Sequence, residues 1–354
     1  MTLKAFLGWL IVAAVTVVAA TVMVIDRPTS TVDPLSRAPV FNDLRANPDD
    51  VARLTISSRF GSFTFERENG KWRVPDKYDY PVDNNDVRDL VVKISDMRYI
   101  ERKTSNTKRF ARLEVNDIKD ELSESVYIRM AAADDRTLAE AVVGRPSSRF
   151  IDGSVSGTYI RFPKTDEVWL ASGAVNVQTR LVPWLEREVV KIPADTVARV
   201  VIGKGDGAYE LVREGEGDNV KYVIPQVPKG RELADRVTQD LTRSLANVAL
   251  EDVKPRAELT MPADARVARV ETLDGVAVDL QLAEIDKQPW SLVSASYIGD
   301  AGDESDPAKA ARQRVADINA RVGNWAYWIP SDIYDRLTKP LEKQLEPKKK
   351  DGAS

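Results

Sequence analysis

One block of this sequence occurs twice, and a repeat of that size limits the folds open to the chain more than any single motif does. Val51-Ala-Arg-Leu-Thr-Ile56 returns as Val197-Ala-Arg-Val-Val-Ile202. Ser62-Phe-Thr-Phe-Glu66 then answers to Ala208-Tyr-Glu-Leu-Val212. Gly70-Lys-Trp-Arg-Val-Pro75 answers to Val220-Lys-Tyr-Val-Ile-Pro225, which places Trp72 and Tyr222 150 positions apart. Alternating apolar residues broken by Gly, Asn and Asp are the pattern of strands joined by hairpins. A helix is predicted next in each copy. In the first, Val87, Leu90, Val91, Ile94 and Met97 share one face. In the second, Leu233, Val237, Leu241, Leu245 and Val248 do so. Asp83 is placed to cap the first of these helices, with Asp86 in its opening turn.

Strands return after a polar stretch. Val126–Met130 and Ala139–Val143 flank a turn at Asp134-Asp135, and Val267–Glu271 and Val276–Leu282 flank a turn at Asp274-Gly275. Asp-Gly between alternating runs is a strong hairpin signal. Near the ends, Val168-Trp-Leu170 aligns with Tyr327-Trp-Ile329, and Leu185-Glu186 aligns with Leu341-Glu342. The expected fold is α+β: two tandem copies of an antiparallel-sheet-plus-helix module, 48–192 and 193–346. In such a fold each apolar sheet face needs a helix or the other copy to cover it. Its open strands offer edges to a partner's strand.

Ahead of the repeat, Ala5–Ile25 runs about twenty residues without a charge, enough to cross a hydrocarbon core ~30 Å thick. It has no polar face. Lys4 flanks its start, so the positive-inside tendency puts the N-terminus in the cytoplasm and the bulk outside. The expectation is a single-pass anchor (1–27) in the cytoplasmic (inner) membrane, a Pro- and Ser-containing linker (28–47), a periplasmic bulk and a polar tail (347–354). The competing reading is a cleaved signal peptide, since Val18-Ala19-Ala20 suits a cut before Thr21. Both readings export the remainder.

Composition excludes several chemistries. The chain has no Cys and no His. That removes thiol nucleophiles, Ser-His-Asp triads and the usual zinc, haem and iron–sulfur ligand sets. Lys and Arg number 51 against 55 Asp and Glu, with the signs interleaved. A duplex-binding protein concentrates its basic residues, so nucleic acid is not an expected partner.

Several of these segments together resemble the bacterial family called domain of unknown function 4340. They are Gly70-Lys-Trp-Arg-Val-Pro75, Tyr80-Pro-Val-Asp83, Gly157-Thr-Tyr-Ile-Arg161, Glu167-Val-Trp-Leu170 and Trp184-Leu185, the last read as helical. The first copy carries the resemblance over about 50–190. The second has Val227-Pro-Lys-Gly230 in place of the Tyr-Pro-x-Asp element. The resemblance implies an exported, membrane-anchored protein associated with ABC-type transport or gliding-auxiliary systems, and therefore a protein partner in an inner-membrane complex.

The remaining motifs have simpler explanations. Gly203-Lys-Gly-Asp-Gly-Ala208 fits a relaxed dinucleotide fingerprint, but strand residues follow it where a helix is required. Ser105-Asn-Thr-Lys108 matches S-x-x-K without its companion motifs. Asp300, Asp303, Glu304 and Asp306 lack the spacing of a calcium loop. Asp83 with Asp86, and Asp134 with Asp135, read as a cap and a turn before they read as acid–base pairs. Trp325, Tyr327 and Trp328 put aromatic rings on both faces of one strand and form the expected partner or ligand surface. No catalytic, cofactor or metal residues are assigned. The function expected is a non-enzymatic periplasmic accessory or scaffold protein. The alternatives are an envelope glycan- or lipid-binding module and a periplasmic hydrolase that works without His or Cys.

Overall fold

Alternation of buried and exposed residues builds the first hairpins of the computed structural model, which describes residues 37–147, 157–215 and 219–348. The Ala5–Ile25 segment, the first part of the linker (28–36) and the last tail residues lie outside these, and the rest of the expected linker holds a short helix at Asn42–Ala46. Among the described residues no helix is long and apolar enough to cross a membrane. The first copy supplies strands β1 (Arg53–Ser58), β2 (Gly61–Glu68), β3 (Lys71–Val74), β4 (Tyr80–Pro81), β5 (Tyr99–Thr104), β6 (Val126–Ala131), β7 (Thr137–Pro146), β8 (Gly157–Arg161) and β9 (Val168–Ser172). Its helices are α1 (Asn42–Ala46), α2 (Asn84–Ser95) and the single turn α3 (Phe110–Leu113). Leu54, Ile56, Phe63, Phe65, Trp72 and Val74 all point inward, as a period of two requires.

The second copy supplies β10 (Glu188–Lys191), β11 (Val197–Ile202), β12 (Tyr209–Glu214), β13 (Lys221–Val223), β14 (Arg231–Leu233) and β15 (Asn247–Ala249). It continues through β16 (Asp252–Pro255), β17 (Arg266–Thr272), β18 (Val276–Ile285), β19 (Gln288–Tyr297), β20 (Trp325–Trp328) and β21 (Leu345–Pro347). Its helices are α4 (Val237–Ala246), α5 (Asp306–Val322) and α6 (Ser331–Thr338). The protein is thus mixed α+β, dominated by antiparallel sheet.

Strand order carries the repeat into three dimensions. One sheet runs β4-β3-β2-β1-β6-β7-β8-β9-β5 and the other β13-β12-β11-β17-β18-β19-β20-β16. Apart from β4, each strand of the first has its counterpart at the same place in the second.

Two backbone seams also recur. Ahead of the first hairpin, the amide of Val40 donates to the Met97 carbonyl at 2.9 Å, and Tyr99 donates back to Ala38 at 2.9 Å. The equivalent seam is β10 against β15, with Val190 opposite Val248. Beyond the sheet, Leu185 bridges to Val82, Asp83 donates to the Trp184 carbonyl at 2.8 Å and Glu186 donates to Pro81 at 3.0 Å. Its counterpart is β14 against β21, with Leu233 opposite Leu345 and Ala234 donating to Gln344 at 2.9 Å.

These seams correct three sequence expectations. Leu185 corresponds to Leu345, not Leu341, because backbone pairing sets the register where leucines recur every four residues. Trp184-Leu185 is no α-helix. Val182–Trp184 makes one 3-10 turn and Leu185 is already extended, at ψ 157°. Of the face expected for the second helix, Leu233 belongs to β14 and precedes α4, and Val248 belongs to β15 and follows it. The expected face of α2 is buried at Val87, Leu90, Val91 and Ile94, while Met97, also buried, lies past the helix end and belongs to the seam. Asp83 accepts from the Asn85 amide at 2.8 Å at the start of that helix.

Helix α5 was missed. It interrupts the β19–β20 connection, which is a short turn between β8 and β9. Ser305 caps it, Pro307 opens it, and Ala308, Ala311 and Val322 face inward. The Asn319 side chain clips it to β19, donating to and accepting from Ala295 at 2.8 Å each.

By compactness the chain divides into two units. One holds Met1–Val51, Ser57–Arg59 and Leu90–Val177. The other holds Ala52–Ile56, Phe60–Asp89 and Gln178–Ser354. The β2–β4 hairpins and the Leu185 seam therefore group with the second copy.

Candidate functional site

The aromatic strand β20 lies within the second unit and is covered on both faces. Tyr327 is only 1 % exposed. Trp325, on the same face, meets Tyr80 edge-on with ring centroids 4.9 Å apart. Tyr80 is itself buried, and its hydroxyl donates to the Glu186 carbonyl at 3.0 Å. Burial pushes the phenols of both Tyr80 and Tyr327 well above the ordinary tyrosine range, and the neighbouring Tyr327 phenol adds to the effect on Tyr80. On the opposite face, Ala326 joins Leu259, Trp290 and Leu292, with Trp328 packed against the cluster. Trp325 and Trp328 remain half-buried, but β20 presents no open aromatic face. The sequence showed rings on both sides of the strand. What it did not show was that β4, some 245 residues earlier, supplies the cover.

Each of the other sequence candidates is held by its own local structure. Gly205–Gly207 forms a 3-10 turn between β11 and β12, so the glycine-rich segment is a hairpin connection. Ser105 accepts from Arg102 at 3.2 Å in an exposed loop, and Asn106 caps the following turn through the Lys108 amide at 3.1 Å. The acidic stretch before α5 is spent on that helix. Asp303 accepts from the Ser305 amide at 2.8 Å, and Glu304 pairs with Lys309 at 3.3 Å. Asp135 pairs with Arg129 at 3.0 Å across its own hairpin. Among the described residues no cluster of three or more acidic side chains could hold a metal ion.

A different place concentrates charge. Within the first unit, Lys103 and Thr104 of β5, Arg109 and Arg112, Arg145 of β7 and Tyr159 of β8 line a polar cleft of about 580 Å³. Its geometry follows from how residues 107–115 are pinned. Phe110 and Val115 are buried with Val142 and Val168, and Arg161 lies over the Phe110 ring while donating to the Val115 carbonyl at 2.8 Å. Gly144 of β7 touches the same segment so closely that a Cβ there would lie 2.6 Å from Val115 Cγ1. With Phe110 inward, Arg109 and Arg112 are left on the outer side, three residues apart and able to act together. Lys103 is tied to Glu101 at 2.6 Å. No described carboxylate pairs with Arg109, Arg112 or Arg145. The cleft is built to accept negative charge, and its cations would repel a metal ion. Sequence reading passed over it because the lining residues come from four separate segments of a chain rich in both charges. The one local signal was Lys108-Arg-Phe-Ala-Arg112.

The comparisons with known proteins bear on the Trp72–Trp184 elements. The model of the family described as domain of unknown function (DUF4340) matches residues 72–270, more than half of the chain. The chain belongs to the DUF4340 family. Its matched region begins at Trp72, includes Tyr80, Asp83 and Trp184, and ends in β17, so the family unit runs across both copies of the repeat. No curated protein and no solved structure matches the chain.

Proposed function

We propose that this DUF4340 protein is a non-enzymatic accessory protein of the cell envelope that works by holding a partner. In this reading two tandem modules arose by duplication. The Ala5–Ile25 segment anchors them in the cytoplasmic membrane with their bulk in the periplasm. The partner is a subunit of an ABC-type or gliding-auxiliary-like membrane complex, as the resemblance implies. Tethering keeps the modules at high effective concentration beside it.

The observation that supports this most is the fate of the residues that carry the resemblance. Trp72, Tyr80, Val82, Trp184 and Leu185 are all buried; the Val82 amide donates to the Trp72 carbonyl, Val82 bridges to Leu185, and the Trp184 ring packs on Phe65. Residues that transform a substrate must reach it, whereas these close a fold. A family marked by its closing seam is one whose common feature is a rigid platform, with recognition left to the surface. The envelope-binding alternative keeps one supporting feature, the basic cleft. The hydrolase alternative has none, since Ser105 and Asp83 are engaged in local loop and cap bonds.

Crosslinking in intact cells, followed by solubilisation and identification of what co-purifies, tests the proposal. The expected result is reproducible recovery of a membrane permease or its auxiliary subunit, lost when 48–342 is deleted with the anchor kept. Recovery of the protein alone, or with envelope polymer only, would sink the accessory reading.

A further inference from the structure

We propose that the basic cleft of the first unit is a binding site for a phosphoryl group carrying two or more negative charges. The proposal does not depend on the accessory reading. It concerns a ligand of the cleft, whatever larger assembly the protein serves.

Three features specify the ligand. First, the charge is unbalanced locally: four cations line the cleft, and among the described residues only Lys103 of the four has a carboxylate partner. The chain as a whole carries a formal charge of −4, so the positive site stands against a negative background and would steer anions to it. Second, three of the four cations are arginines. The planar guanidinium fork matches the paired oxygens of a phosphoryl group and donates two parallel bonds, while Lys103 adds a point charge. Thr104 and Tyr159, which carry hydroxyls, are among the lining residues. Third, the volume of about 580 Å³ falls in the ~300–1,000 Å³ range of small-molecule sites, larger than a bare ion needs. A phosphate ester or the head group of an anionic lipid fits both the charge and the space.

The arginines are held in place by parts of the fold that do not touch the ligand. Phe110 and Val115 anchor their segment from below, and Asn106 caps its first turn. The cleft is therefore largely preformed, and binding does not have to order the loop that carries it.

Calorimetric titration of the full chain in neutral detergent tests this with two probes, inorganic pyrophosphate and short-chain phosphatidylglycerol below its micelle concentration. The expected result is saturable binding of at least one probe. Arg109→Gln, Arg112→Gln and Arg145→Gln should each weaken it about tenfold or more, and added salt should weaken it further. Tighter binding of pyrophosphate assigns the cleft to soluble phosphate esters. Tighter binding of the lipid assigns it to a head group. Lys229→Gln, at an exposed position that does not line the cleft and makes the same charge change, should leave affinity unchanged. Because all three arginines are exposed, an unchanged melting midpoint is expected and shows that the variants are folded. Failure of both probes to saturate the wild-type chain overturns the proposal. So does a loss in the arginine variants no larger than in Lys229→Gln.

Discussion

Trp184→Ala should lower the unfolding free energy by about 3–5 kcal/mol, the cost of emptying a large buried aromatic site. The ring is 5 % exposed, lies 5.5 Å from the Phe65 ring between centroids, and donates from Nε1 to the Gln178 carbonyl at 3.0 Å. Truncation leaves a cavity and an unmatched carbonyl, and each adds to the loss. It also loosens the residue whose own carbonyl accepts from Asp83, so the seam that closes the first sheet weakens with it. Trp184→Phe keeps most of the packing and should cost about 1–2 kcal/mol, mainly for the lost hydrogen bond. Urea melts of the two variants give both numbers. A loss below about 1 kcal/mol for Trp184→Ala would mean that the ring does not hold the seam.

Gly144→Ala should cost about 1–3 kcal/mol, the usual penalty for overfilling a packed site, although Ala is otherwise the better strand residue. The new methyl would press on the Leu113 carbonyl, lie 2.6 Å from Val115 Cγ1 and come within 2.9 Å of the Glu114 carbonyl. Two of these three neighbours are backbone, which cannot turn aside as a side chain can. Relief must come from moving residues 113–115 off β7, and that movement carries Arg112 with it. The substitution should therefore weaken anion binding at the cleft as well as stability. A neutral effect in thermal melts would show that the segment is not seated as closely as the geometry states.

Much of the fold was legible in the sequence because it depends on local alternation. The hairpins, their turns and the buried face of α2 all follow from spacing within a few residues. The matching strand order rests on the same signals read twice. What was not legible depends on pairing between distant residues. Trp184 and Gln344 occupy the same place in their seams and each donates to an upstream carbonyl, yet one is a large apolar ring and the other a polar amide. Trp184 packs at a tilt against Phe65, while Gln344 donates to the Tyr209 hydroxyl and to the Lys339 carbonyl at 3.1 Å. No alignment by residue type would match them, which is why Leu341 looked like the partner of Leu185.

The same limit governed the functional reading. The rings of Trp325, Tyr327 and Trp328 were visible, but their cover came from Tyr80 on one face and from Leu259, Trp290 and Leu292 on the other. The basic cleft escaped notice for the converse reason. Its arginines look like ordinary solvated charges until the fold gathers them, with no carboxylate paired to them among the described residues.

The central claim is that the residues marking this family close the fold. Amide hydrogen exchange at the seam measures it most directly. The amides of Asp83, Glu186 and Ala234 each donate across a seam, at 2.8, 3.0 and 2.9 Å. If the seams are integral, these amides exchange as slowly as those in the centre of β18 and β19, and open only when the sheet unfolds. Exchange at the rate of exposed loops, with the sheet amides still protected, would contradict the claim and leave Tyr80, Asp83 and Trp184 free to meet a ligand.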